Sequence, residues 1–416
     1  MKVMAHTSTP STTFVHTQAS KLNEFWPTRF NVLACIGLTW LGCSPDPKST
    51  APSSGPDVDH SDHDHSEHAD IDHGSHSDDH HDGHSDDEHG GHGGGHTDTG
   101  GHHGGMGGDP PPPKEEALPD KLSEAGLYSD IISKTIDDDM LHYVPQFQLW
   151  SDAADKERWA YIPEGRQIDT ADMNNWSVPV GSRFFKEFSI DGKRIETRLI
   201  ERVGEGPRDF AFVSYLWNAD QTEATKVGPE GLPRALGTSH DVPSKLDCLR
   251  CHGTHPLGGG RPSRMLGFSA IQLSHAETPV TVSDLADRLS HPIDAPYVVP
   301  GDPTAQAALG YLHANCGNCH NDESDRVPQV DLSLWLNVED TTVEATSAWK
   351  TAVSQGNALF NDQHVIARIA PGNAEESAII YRMSQRGNTA QMPPVATKEP
   401  DATGIAVVTE WIRSLP

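Results

Sequence analysis

The sequence predicts an α+β protein, with an antiparallel β domain followed by a mainly α-helical region. Three observations carry this. Asp191-Gly192 separates two runs of alternating polar and apolar residues, 181–190 and 193–200, and an Asp-Gly pair in that setting marks a tight hairpin. Near the end of the chain Ile405, Val408, Trp411 and Ile412 recur at three- and four-residue spacing, the period of one helix face. Between these, the texture changes after Pro243 from short alternating segments to helices joined by Gly- and Pro-rich loops.

Taken in order, residues 1–43 read as an export signal. Lys21 and Arg29 precede the apolar run 32–41, which ends at Gly42-Cys43-Ser44. That run has the length of a signal h-region and is too short to span a bilayer. Gly42-Cys43 looks like a bacterial lipoprotein cleavage site. Cys43 is then expected to carry lipid and to tether the chain at a membrane, facing the periplasm or the cell surface. The competing expectation is an ordinary signal peptide cut nearby. Residues 44–118 read as a linker rich in Ser, Pro, Asp, Gly and His. So few apolar residues cannot offset the entropy of ordering, and disorder is expected there. The β-rich domain is expected over 119–236, with a further strand over 209–217 after the hairpin. A first cysteine motif falls in 237–300. A second falls in 301–416, between a short helix over 305–313 and a terminal helix over 401–414.

The formal net charge is -29, and about half of the excess lies in residues 56–106, which hold no Lys or Arg. Such a surface repels nucleic acid and anionic lipid. It favours basic protein partners or cations. Residues 60–103 hold 14 His interleaved with Asp, Glu and Gly. Neutral imidazole suits Cu, Zn or Ni, with carboxylates as further ligands; the bland alternative is a solubilising spacer.

The six cysteines sort by position. Cys35 falls inside the signal run and Cys43 at its end. The other four form Cys248-Leu249-Arg250-Cys251-His252 and Cys316-Gly317-Asn318-Cys319-His320. Two thiols three positions apart can each add to one vinyl group of the same haem, and the adjacent His is then held beneath the iron. Cys248 and Cys251 are expected to anchor one haem c with His252 as ligand, and Cys316 and Cys319 a second with His320. A four-thiolate zinc site is a rival use of paired C-x-x-C units. Here 64 residues separate the pairs, against ~15–20 in a compact ribbon, and neither a ribbon nor a thioredoxin-like pair needs the adjacent His.

For the second haem, Met392 is the expected distal ligand. It stands in Gln391-Met392-Pro393-Pro394, outside any apolar period, before the terminal helix; Met383 reads as core. For the first haem Met265, His275 and His240 are candidates, Met265 reads equally as a core residue, and an open position is a further alternative. His255 follows His252 too closely to reach the other side of the iron.

These residues resemble a poorly characterised family of bacterial dihaem cytochrome c-like proteins, from about residue 141 onward. Its marks here are Leu149-Trp150-Ser151-Asp152, Lys186-Glu187-Phe188, Tyr215-Leu216-Trp217-Asn218, both cysteine motifs, Pro371-Gly372, Met392-Pro393-Pro394 and the terminal helix. The resemblance implies haem binding and a C-terminal cytochrome c-like domain, without naming a substrate; the His tract is no part of it. The expectation is an electron-transfer protein passing electrons between redox proteins with basic docking surfaces. The alternatives are a dihaem peroxidase-like oxidoreductase with an open first haem, and a metal-handling lipoprotein.

Overall fold

Asp191 and Gly192 both take positive φ, 51° and 75°, as a type I′ turn requires, and the central hairpin is built on them. The computed structural model describes residues 118–252, 265–293, 295–322, 330–356 and 364–416. The export signal, Cys43, the His tract and His255 lie outside the described residues. All described residues belong to one unit, Gly101–Pro416. Among them no helix is long and apolar enough to cross a membrane.

The strands are β1 (Tyr128–Asp130), β2 (Thr135–Ile136), β3 (Leu141–His142), β4 (Asp155–Tyr161), β5 (Arg183–Ile190), β6 (Lys193–Arg202), β7 (Phe210–Trp217) and β8 (Ala224–Lys226). β1 pairs with β2, and β3 to β8 form an antiparallel meander in sequence order. The hairpin and the 209–217 strand thus stand where the sequence put them, as β5, β6 and β7.

Register then sorts side chains onto two faces, because neighbours along a strand point oppositely. Trp159, Phe185, Leu199 and Val213 lie directly across from one another. They are buried beneath Leu122, Leu127 and Tyr128 from the segment before the sheet. The next row, Ala160, Phe184, Ile200 and Phe212, lies on the opposite face. Met265, Phe268, Leu273 and Leu285 pack against that face. The Phe268 ring meets Tyr143 and Phe184 edge-on, at 5.0 and 5.2 Å.

The helices are α1 (Lys245–Cys251), α2 (Pro303–Asn315), α3 (Ser347–Ala352), α4 (Ala378–Met383) and α5 (Ala402–Ser414). The α+β reading therefore holds, but the region after the first motif is less helical than expected. Over 265–293 the described chain is turns and one short 3-10 turn, Ala286–Arg288. Local side-chain bonds explain this: Ser274 donates to Ala270 O (2.6 Å), Thr278 to Val280 O (3.0 Å) and Thr281 to Asp284 (2.7 Å). Such bonds offer the backbone an alternative to helix. In the last third α2 crosses α5, and Leu309, Leu312, Val408, Trp411 and Ile412 share one core with Leu336 and Met383.

Candidate functional site

The first motif sits on α1. Ser244 accepts from Asp247 N (3.2 Å) and donates to the Asp247 carboxylate (2.8 Å), which closes the helix N-terminus. Three positions apart on a helix, Cys248 and Cys251 share a side, and His252 forms the C-cap. α1 lies against β7, where the Phe212 ring meets His252 at 5.3 Å.

The second motif follows α2. Asp302 caps that helix by accepting from Ala305 N (2.9 Å), with Pro303 in its first turn. Cys316 ends it, and Cys319 N and His320 N both donate to Cys316 O (3.0 and 2.8 Å). Asn318 and Asn321 donate back to Ala314 O (2.8 Å) and Gly317 O (3.0 Å). Gly317 is needed here for space: a Cβ on it would stand 2.8 Å from His313 O and 2.9 Å from Leu334 O. Asn315 ties this turn to the loop between β3 and β4 by accepting from Trp150 N (2.7 Å) and donating to Gln148 O (3.1 Å).

Residues far apart in sequence meet at this point. The Cys251 thiol is hydrogen-bonded to Cys319, and that bond together with burial pushes it well above the usual thiol range. Burial pushes Cys248 up to about 11 and Cys316 up to about 12. The pairs meet through one thiol each: among the described residues no three His, Cys, Asp or Glu side chains converge as a metal cage requires. A cleft of about 140 Å³, open to solvent, lies beside the first motif. Cys248, Cys251 and His252 line it with Phe184, Phe212 and Leu266, and His313 and Asn318 join from the second motif's side.

His320 is enclosed. Burial, then Arg382 and Arg368, lowers its pKa to about 4, so it is neutral at pH 7. Its buried Nδ1 has no hydrogen-bond partner among the described residues. A neutral imidazole beside paired thiols is the donor set that a c-type haem takes, so these residues fit that group. Met392 donates its N–H to Arg382 O (3.1 Å), so Arg382 adjoins both Met392 and His320. Met383 lies in the helical core.

The candidates for the first haem separate clearly. His240 is bonded to Glu196 at 2.7 Å and His275 to Val144 O at 2.8 Å; neither lines the cleft. Met265 does line it. So does His313, which sequence reasoning missed. Leu336 N donates to His313 Nδ1 (3.1 Å), so the ring proton sits on Nε2 and leaves no lone pair there for a metal. Equally missed were Arg158, Lys186 and Arg198, which line the same cleft. Only strand pairing brings these three together, and no spacing within one segment signals it. Comparison with family models, curated proteins and solved structures finds no match.

Proposed function

We propose that the chain is a dihaem c-type cytochrome that transfers electrons. Cys248, Cys251 and His252 hold one haem, and Cys316, Cys319 and His320 hold the other. The observation that carries this reading is the convergence of the two motifs, one thiol from each in contact beside an apolar cleft. Bound haem supplies a reversible one-electron change at its iron.

The chain's own residues do the rest. Burial keeps His320 neutral and its lone pair free to bind metal. Phe184, Phe212 and Leu266 give the first site an apolar wall. Met392 would supply a thioether to the second haem and Met265 to the first, since Met265 alone of the earlier candidates lines the cleft. The Cys251–Cys319 contact supports attachment points lying side by side, which would give a short route between the two groups. The -29 charge suits redox partners with basic docking surfaces. A tether through Cys43 and Cu, Zn or Ni binding by residues 60–103 complete the proposal, and both rest on sequence alone.

The test is haem stoichiometry after export alongside haem-attachment machinery. The denatured mature chain is expected to keep two haems, and Cys316→Ala to keep one. A mature chain with no covalent haem overturns the proposal.

A further inference from the structure

Arg158, Lys186, Arg198 and Ser214 lie directly across from one another on β4, β5, β6 and β7. Side chains in register share a face, and here that face is the floor of the cleft. Like charges placed opposite one another on adjacent strands are destabilising. Three in a row, in a chain of net charge -29, need a reason.

The balance of charge within the cleft makes the need sharper. Glu196 is fully buried on the same face, but it is occupied: Arg198 reaches it at 2.7 Å and His240 at 2.7 Å. Asp247 is held by Ser244 and lies 3.6 Å from Arg250. Glu157 is beside Arg158 in sequence, so it points to the other face, where it bonds His142 at 2.6 Å. Arg158 is only 4% exposed. Neither it nor Lys186 makes a side-chain hydrogen bond or ion pair with another described residue. The Lys186 ammonium lies over the Phe188 ring, 4.8 Å away, which it shares with Arg198 at 4.3 Å. Burial, then Arg158, Arg198 and Lys156, lowers the Lys186 pKa well below the usual lysine range. Among the described residues the one carboxylate acting on Lys186 is Glu196, already bonded to Arg198 and His240.

The row also has a direction. α1 lies on β7, so Arg198 is one strand away from it, Lys186 two and Arg158 three. Strands step by ~4.8 Å, so the two unpaired cations stand progressively further from Cys248 and Cys251. A haem held by thiols at its vinyl edge carries its two carboxylates on the opposite edge.

We propose that Arg158 and Lys186 form an anion site in the cleft, for a carboxylate or small oxyanion facing the first motif. The carboxylates of the haem on Cys248 and Cys251 are one source of that chemistry, and a free anion is the other. This rests on the dihaem reading. Failure of that reading appears separately, as a chain lacking covalent haem.

The experiment uses mature dihaem protein, with Arg158→Gln, Lys186→Gln and the conservative Lys186→Arg. The Gln variants relieve like-charge repulsion, so they are expected to fold. Reduction of each haem is followed spectroscopically at fixed poise, with and without added acetate and nitrite. If haem carboxylates occupy the site, each Gln variant shifts the reduced-to-oxidised ratio of the first haem about tenfold toward oxidised, 59 mV for one electron. Lys186→Arg restores it, and the added anions change nothing. If a free anion occupies it, wild type binds acetate or nitrite saturably and the Gln variants do not. Both outcomes support an anion site. If neither the ratio nor anion binding responds in any variant, the proposal is overturned.

Discussion

Glu196 stands between Arg198 and His240, each at 2.7 Å. Burial alone raises a carboxyl pKa, but Arg198 and the His240 bond outweigh it here and hold Glu196 at about 2 rather than 4.5. A folded-state pKa below the unfolded value gives stabilisation that is complete above pH 4.5 and lost as pH falls through 2. Glu196→Gln leaves Arg198 beside Lys186 with no counter-charge, and breaking a buried pair in this way costs about 3–5 kcal/mol. Urea unfolding at pH 7 measures that loss, and the acid limb of the wild-type stability profile should flatten in the variant. At the other site Met392 is the residue to change. Met392→Ala is expected to remove the near-infrared charge-transfer band of Fe–S(Met) ligation and to lower the potential of the second haem, as loss of a thioether ligand does. Survival of the band would transfer that role to another residue.

At the scale of elements, the second motif depends on how α2 crosses α5. A Cβ on Gly404 would stand 2.1 Å from the Tyr311 ring, so the crossing requires glycine at that contact. Gly404→Val is expected to cost about 1–3 kcal/mol or more, and Asp302→Ala, which removes the α2 N-cap, about 1 kcal/mol. Thermal unfolding of the mature protein separates the two. What could be read from sequence follows the same division between local and distant causes. The hairpin was legible because Asp191-Gly192 is a short-range signal, and α5 because its apolar period is carried within its own residues. The row 158, 186, 198 was not legible: it exists only through the register of three strands, and a shift of one residue sends it to the other face. Nor was the Cys251–Cys319 contact, since nothing local joins residues so distant in sequence. Met265, His240 and His275 looked equivalent for the same reason, and only packing separates one that lines the cleft from two that are bonded elsewhere.

For the whole molecule the question is how the described unit and the acidic tract divide the work. The described residues carry both cysteine motifs, the cleft and the cationic row. Residues 56–106 carry about half of the net charge, no Lys or Arg, and 14 imidazoles. If imidazole is the ligand, binding of Cu(II) or Zn(II) should weaken as pH falls through ~6.5, where unperturbed His takes up its proton. The second haem site should not follow that titration, because burial, with Arg382 and Arg368, holds His320 near 4. Removing residues 56–106 is therefore expected to leave haem count, spectra and thermal unfolding unchanged while metal uptake collapses. It should also change association with a basic redox partner. Long-range attraction between opposite net charges raises the on-rate, so losing half the charge should slow association at low salt and make it less salt-dependent. Calorimetric titration of full-length and shortened proteins with Cu(II) and Zn(II) reads the first effect, and stopped-flow reduction by a basic donor at several ionic strengths reads the second. Equal metal stoichiometry in the two proteins would assign the ligands to the rest of the chain and leave the tract the role of a spacer. Equal salt dependence would show that docking is governed by charges near the haem sites.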